Sequence, residues 1–156
     1  MKKVLIAYFS PTGTTERMAE FIAEGIRFSG KQAKIEKVEN LKETTELAGF
    51  DGYIFGSPTY SLDVPKRMKT FLTLAGKVDM RGKLGGAFGS YAHDVGYQHD
   101  THAPAIIFNA LQANCGMKPF KLGPLNLKED LLTTAEGLKA CQAYGKVFGE
   151  ELDASV

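Results

Sequence analysis

Val4-Leu5-Ile6-Ala7-Tyr8-Phe9 is an unbroken apolar run that passes directly into Ser10-Pro11-Thr12-Gly13-Thr14-Thr15 and then into a helical pattern from about Glu16. A run of that length reads as a buried strand, and the hydroxyl-rich segment after it as the turn into a first helix. Such a turn is suited to an anion. The start of a helix offers backbone N–H groups without partners and the positive end of the dipole, and Ser10, Thr12, Thr14 and Thr15 add hydroxyl donors around Gly13. Plain capping needs one hydroxyl. Four exceed that need and point to a bound phosphate.

Working outward, Met18, Ile22 and Ile26 recur every four residues, with Ala19 and Ala23 beside them and Gly30 as the stop, predicting a helix over about 15–29. Ala33, Ile35 and Val38 then alternate with Lys34, Glu36 and Lys37, a half-polar strand suited to a sheet edge. A short helix is expected within 41–48. Gly52-Tyr53-Ile54-Phe55-Gly56 reads as a central strand that empties into the loop Ser57-Pro58-Thr59-Tyr60-Ser61-Leu62. Asp63 is expected to N-cap a third helix, with Pro65 in its first turn and Met68, Phe71, Leu72 and Ala75 at helical spacing.

The fourth strand, Leu84-Gly85-Gly86-Ala87-Phe88-Gly89, is glycine-rich, which lets a backbone or ligand approach closely. A polar loop follows to His102. Helix four, opened by Pro104, carries Ile107, Phe108, Leu111 and Cys115, and a fifth strand is expected over about 117–122. Pro119 cannot donate to a ladder, so that strand belongs at an edge. In the final helix Leu131, Ala135, Leu138, Phe148 and Leu152 should face inward, with Gly145 close to the sheet.

Strand and helix thus alternate five times, which argues an α/β, three-layer, doubly wound five-stranded parallel sheet. With the second and fifth strands as edges, the order must be 2-1-3-4-5. Strand order then reverses between strands one and three, and ligands bind outside the carboxyl ends of strands at such a point. The loops beginning at Ser10, Ser57 and Ser90 all meet there.

Composition narrows the function. The 156 residues suit a single domain over 1–156, with 44% hydrophobic and 24% charged residues, as in soluble globular proteins. No apolar stretch is long enough to span a membrane, and the apolar run at the start lacks a cleavage site, so a cytoplasmic location is expected. Cys115 and Cys141 lie on helical apolar faces and read as reduced, buried thiols. A net charge of +1 with scattered lysines gives no field for nucleic acid.

The first loop has no lysine, as a nucleoside triphosphatase loop would, and no spaced glycines, as a dinucleotide site would. The end of strand one has no acidic residues, as a receiver domain would. Ser10, Thr12, Gly13 and Thr15 do match the flavodoxin phosphate pattern of Thr or Ser, any residue, Thr, Gly, any residue, Thr. Gly56-Ser57-Pro58-Thr59-Tyr60 and Gly89-Ser90-Tyr91 resemble the corresponding segments of flavodoxin-like domains, including those fused to diiron flavoproteins. The resemblance spans essentially the whole chain in element order and implies FMN as cofactor.

By that resemblance Ser10, Thr12, Gly13, Thr14 and Thr15 would wrap the phosphate, and Ser57, Pro58, Thr59 and Tyr60 would line one side of the isoalloxazine, Tyr60 stacking on it. Ser90, Tyr91 and the following residues would offer N–H groups to the pyrimidine edge. Tyr91 or Tyr97 would cover the other face, and Gly96 lies in a segment loosely similar to the pyrimidine-edge loop of FMN-dependent quinone reductases. Two departures stand out. Electron-shuttling flavodoxins are strongly acidic, whereas this chain has a pI near 7.7. The family also flips a peptide of the second loop, commonly at a glycine, and none lies between Ser57 and Lys69, which favours two-electron chemistry.

His93, His99 and His102 cluster with Asp94 and Asp100, but no paired spacing gathers them into a metal site. The segment reads as a solvated loop in which one imidazole could move a proton. The resemblance therefore implies a carrier of electrons between redox partner proteins, a reductase and an acceptor enzyme. The alternatives are an NAD(P)H-dependent quinone reductase and a flavin-free binding module.

Overall fold

In the computed structural model, which describes residues 1–59, 63–92 and 102–154, the chain alternates strand and helix as its hydrophobic periods dictate. β1 (Lys3–Tyr8) leads into α1 (Thr14–Phe28), β2 (Gln32–Lys37), a 3-10 turn at Val38–Asn40 and the one-turn α2 (Thr44–Leu47). β3 (Gly52–Gly56), α3 (Lys66–Ala75), β4 (Leu84–Tyr91) and α4 (Ala103–Cys115) follow. β5 (Lys118–Pro119), β6 (Leu125–Lys128), a 3-10 turn at Glu129–Thr133 and α5 (Ala135–Ala154) complete the order.

All strand pairs are parallel, in the order β2-β1-β3-β4-β5, with β6 also on β4. Burial follows from position. β3, at the centre, is buried at every residue, whereas β2 at the edge is exposed or half-buried throughout. One layer of core puts Leu5, Ala7, Tyr53 and Phe55 against α3 and α4 through Met68, Phe71, Ile107 and Leu111. The other puts Val4, Ile6 and Ile54 against α1 and α5 through Met18, Ile22, Ile26 and Phe148. Each of these large apolar side chains contributes roughly 1.5–3 kcal/mol by leaving water. The free thiols Cys115 and Cys141 are both buried, and desolvation pushes Cys141 up to about 12.

The fifth strand departs from expectation. Instead of running over 117–122 it is split: β5 pairs Lys118 and Pro119 with Leu84 and Gly85, the chain turns out, and β6 returns opposite Phe88–Tyr91. Opposite the gap the Tyr144 hydroxyl takes over the ladder, accepting from the Ala87 N–H at 3.2 Å and lying 3.1 Å from the Ala87 carbonyl and 2.7 Å from that of Gly123. Burial raises the Tyr144 pKa well above the ordinary phenol value, so it serves these bonds as a neutral hydroxyl. A strand interrupted just after a proline thus keeps its neighbour satisfied through a side chain from α5.

Three further readings are corrected. Asp63 is not the cap of α3: the extended residue before the helix is Pro65, and Asp63 instead accepts from the Val64 N–H at 2.7 Å and pairs with Lys69 at 2.6 Å. Leu131 and Ala135 are exposed, and Leu132 fills the core in their place, because a 3-10 turn precedes α5 and shifts the facing residues. Gly145 meets α1 rather than the sheet, since a Cβ there would lie 2.0 Å from the Ile22 carbonyl oxygen.

Candidate functional site at the carboxyl edge of the sheet

The turn after β1 is built around one side chain. Ser10 Oγ accepts from the N–H groups of Gly13 and Glu16, each at 3.1 Å, so this single hydroxyl both shapes the loop and caps α1. Gly13 sits at φ 90°, a left-handed conformation costly to other residues, and a Cβ placed there would meet nothing within 4 Å. Tyr8 Oη donates to Glu16 Oε1 at 2.7 Å and clamps the strand end to the first helical turn. Burial first, and then the Glu16 carboxylate, hold that phenol protonated.

With Ser10 spent on the cap, the N–H groups of Thr14 and Thr15, the first two residues of α1, have no carbonyl a turn back to bond. Among the described residues neither has another partner. The hydroxyls of Thr12 and Thr14 lie 3.5 Å apart over this opening. Thr12 is exposed, Thr14 half-buried and Thr15 buried. The arrangement is a shallow ring of donors at the positive end of a 15-residue helix, a donor set chemically suited to an anion with at least two negative oxygens.

The second loop is tied to its neighbours. Phe9 N–H donates to the Gly56 carbonyl at 3.0 Å, Ser57 N–H to that of Phe88 at 3.1 Å and Thr59 N–H to that of Ser90 at 3.0 Å, so the ladder continues past β3. The approach requires Gly89, where a Cβ would lie 2.1 Å from the Ser57 carbonyl oxygen. Ser57 Oγ donates to the Pro58 carbonyl at 2.9 Å, and Thr59 Oγ1 accepts from the Ala103 N–H at 2.9 Å. Both hydroxyls therefore face the protein, and the loop offers a cofactor its shape more than its hydroxyls.

Ser90 and Tyr91 lie in β4 itself, two residues beyond the expected strand end. Ser90 is fully buried, and its Oγ has no hydrogen-bond partner among the described residues. Such a hydroxyl costs about 1–3 kcal/mol until a partner arrives. The Tyr91 ring lies 4.8 Å from that of His102. His102 is only 1% exposed, precedes α4 as its cap residue and has Nδ1 2.7 Å from Asn126 Nδ2. It thus corrects the reading of the whole 93–102 segment as solvated.

Of the residues expected at the site, Ser10, Thr12, Gly13, Thr14, Thr15, Ser57, Pro58, Thr59, Ser90 and Tyr91 gather at the carboxyl ends of β1, β3 and β4. Tyr60, Gly96 and Tyr97 lie outside the described residues, as do His93 and His99. Asn126 was missed because β6 was missed. The alternation Leu125-Asn126-Leu127-Lys128 is the half-polar signal that could have found both.

Comparison with known proteins agrees with the geometry. Residues 5–88 match the family model described as a flavodoxin domain. The chain belongs to that family, whose fold implies flavin binding. It is 40% identical over 89 residues to a flavodoxin of Clostridium saccharobutylicum, covering 55% of this chain and 54% of the relative. It is 32% identical over 133 residues to an NAD(P)H dehydrogenase (quinone) of Acidovorax ebreus, covering 71% and 66%. The chain thus spans about half to two thirds of the curated relatives it matches. Among solved structures, a flavodoxin from the domain Archaea superposes with a TM-score of 0.82 at 25% identity over 97% of this chain and 99% of that one. The flavodiiron core of Synechocystis sp. gives 0.82 at 25%, covering 99% of this chain and 37% of that one. Among the described residues no helix is long and apolar enough to cross a membrane.

Proposed function

We propose that residues 1–156 act as one FMN-binding domain that carries electrons between a reductase and an acceptor enzyme. The observation that carries this reading is the first loop, where Ser10 caps α1 by itself and leaves the Thr14 and Thr15 N–H groups open beside Gly13. Phosphate oxygens fit that donor set, and the buried, partnerless Ser90 hydroxyl fits a polar ring edge at the other end of the site. When bound, FMN supplies reversible uptake and release of electrons with their protons.

The protein's own part is to hold and to exclude. Thr12, Thr14 and Thr15 would bind the phosphate. Ser57 to Thr59, pinned to β4 and α4, would keep one wall of the ring site rigid, with Tyr60 stacking on it. Ser90 and Tyr91, with Gly96 and Tyr97, would form the other wall and the pyrimidine edge. His102, paired with Asn126 and packed on Tyr91, would fix the orientation of that wall.

A second reading, an NAD(P)H-dependent quinone reductase, is favoured by the relative of that name and by the glycine-free second loop. Anaerobic reduction separates the two. The carrier bleaches slowly with NADPH or NADH alone and rapidly when a flavin-dependent reductase is added. Rapid bleaching by the nicotinamide alone, with quinone turnover, would replace the carrier by the enzyme. A colourless protein that takes up no FMN would leave the third reading, a flavin-free binding module.

A further inference from the structure

A groove with a volume of about 680 Å³ lies away from the three loops, between the segment after β2 and the outer face of α3. Its floor is apolar: Val38 and Leu41 from one side, and Phe71 and the half-buried Leu74 from the other. Lys42, Lys66, Arg67 and Lys77 line its rim against one acid, Glu39. Four cations and one carboxylate give +3 here, on a chain whose whole charge is +1.

That polarity is not a by-product of helix design. Lys66 and Arg67 occupy the first two positions of α3, whose first turn has no acidic residue, so their charges oppose the helix dipole. Nor are they neutralised internally. Asp63 takes Lys69 at 2.6 Å, and among the described residues none of the four rim cations makes an ion pair.

We propose that this groove docks an acidic, amphipathic segment of a partner protein, with carboxylates on Lys42, Lys66, Arg67 and Lys77 and apolar side chains over Val38, Leu41 and Leu74. Charge complementarity selects the sign of the occupant, and the concave apolar floor between the cations selects a protein segment over a phosphate backbone or a lipid surface. Val38 follows the carboxyl end of β2 and Lys66 follows the loop after β3, so one end of the groove opens on the same sheet edge as the candidate cofactor site. A segment seated here would hold its protein beside that edge. The docking itself does not depend on the flavin reading.

Fluorescence anisotropy of the full-length protein, with and without FMN, tests this against a panel of labelled peptides carrying glutamates around leucines at helical spacing. Binding at about 50 mM salt should weaken at least about tenfold at about 500 mM. Lys66→Glu with Arg67→Glu should cost at least about tenfold as well. Thr70→Trp, which fills the groove from an exposed position, should abolish binding, and Lys139→Glu on α5 should change nothing. The proposal is overturned if no acidic peptide binds, if the same peptides with lysine for glutamate bind equally, or if phosphatidylserine vesicles or duplex DNA bind more tightly. FMN absorbance recorded on each variant reads the cofactor site separately, so loss of flavin and loss of docking cannot be confused.

Discussion

The first and second loops are both hydroxyl-rich, both follow a buried strand and both meet the same sheet edge, yet they use their polar groups in opposite ways. In the first, one hydroxyl, Ser10, does the structural work and the donors at the start of α1 stay open. In the second, the hydroxyls of Ser57 and Thr59 are turned onto the protein, on Pro58 and Ala103. The difference follows from what comes next in the chain. α1 begins at once after Gly13, so its unpaired N–H groups lie in the loop itself. The second loop instead runs on along β4, where backbone bonds continue and side chains are free to tie down the start of α4. An open set of donors and a tied-down wall are thus made from similar composition.

The largest effect that should sharpen this contrast comes from two glycines. Gly89→Ala drives a Cβ against the Ser57 carbonyl oxygen, which cannot move without breaking the second loop from β4. A loss of about 3 kcal/mol is expected in urea unfolding. Gly13→Ala has open space, and only its φ of 90° to oppose it, so about 1 kcal/mol is expected. Equal losses would break the contrast between a packed wall and an open receptor.

Next come the hydroxyls. Ser10→Ala removes the acceptor of two N–H groups and Thr59→Val strands the N–H of Ala103, each costing about 1 kcal/mol of stability. Their effects on ligands should differ. Ser10→Ala should lower FMN affinity roughly tenfold and leave riboflavin, which lacks the phosphate, unchanged, whereas Thr59→Val should weaken both ligands alike in a fluorescence titration. If Ser10→Ala weakens both alike, the first loop is no phosphate receptor.

The smallest effect is a control in the core between the sheet and α1 and α5. Burial raises the Cys141 thiol from 9.0 to about 12, so the neutral form is the one that folding favours. Its contribution is complete below pH 9 and is lost as pH rises from there towards 12. At pH 9.5 the loss is roughly 0.8 kcal/mol, falling equally on both loop variants, and Cys141→Ala should remove that part of the slope. The buried phenols of Tyr8, Tyr53 and Tyr144 shift in the same direction and begin to add above pH 10. Melting curves at pH 8 and pH 9.5 provide the measurement.

The architecture was legible because its signals are local. Val4 to Tyr8 and Gly52 to Gly56 are apolar throughout because they are buried on both faces, and Met18, Ile22 and Ile26 mark a helix face by spacing alone. Ser10 to Thr15 could be recognised because loop and helix start are contiguous. The split of the fifth strand could not be foreseen, because the group that bridges the gap, Tyr144, is more than twenty residues away in sequence. His102 read as one more polar loop residue, since its burial depends on Tyr91 and on Asn126 from a strand only four residues long.

By itself, then, the chain's local pattern, its hydrophobic periods with Pro119, determined the strand and helix order as far as β5, the edge strands and hence the 2-1-3-4-5 order with its switch point, since each rests on residues near one another in sequence. Only the tertiary structure decided which hydroxyls remain open, which are spent and where four cations that make no ion pair among the described residues collect around an apolar groove. Those outcomes depend on distances between segments far apart in the chain, which no local pattern encodes.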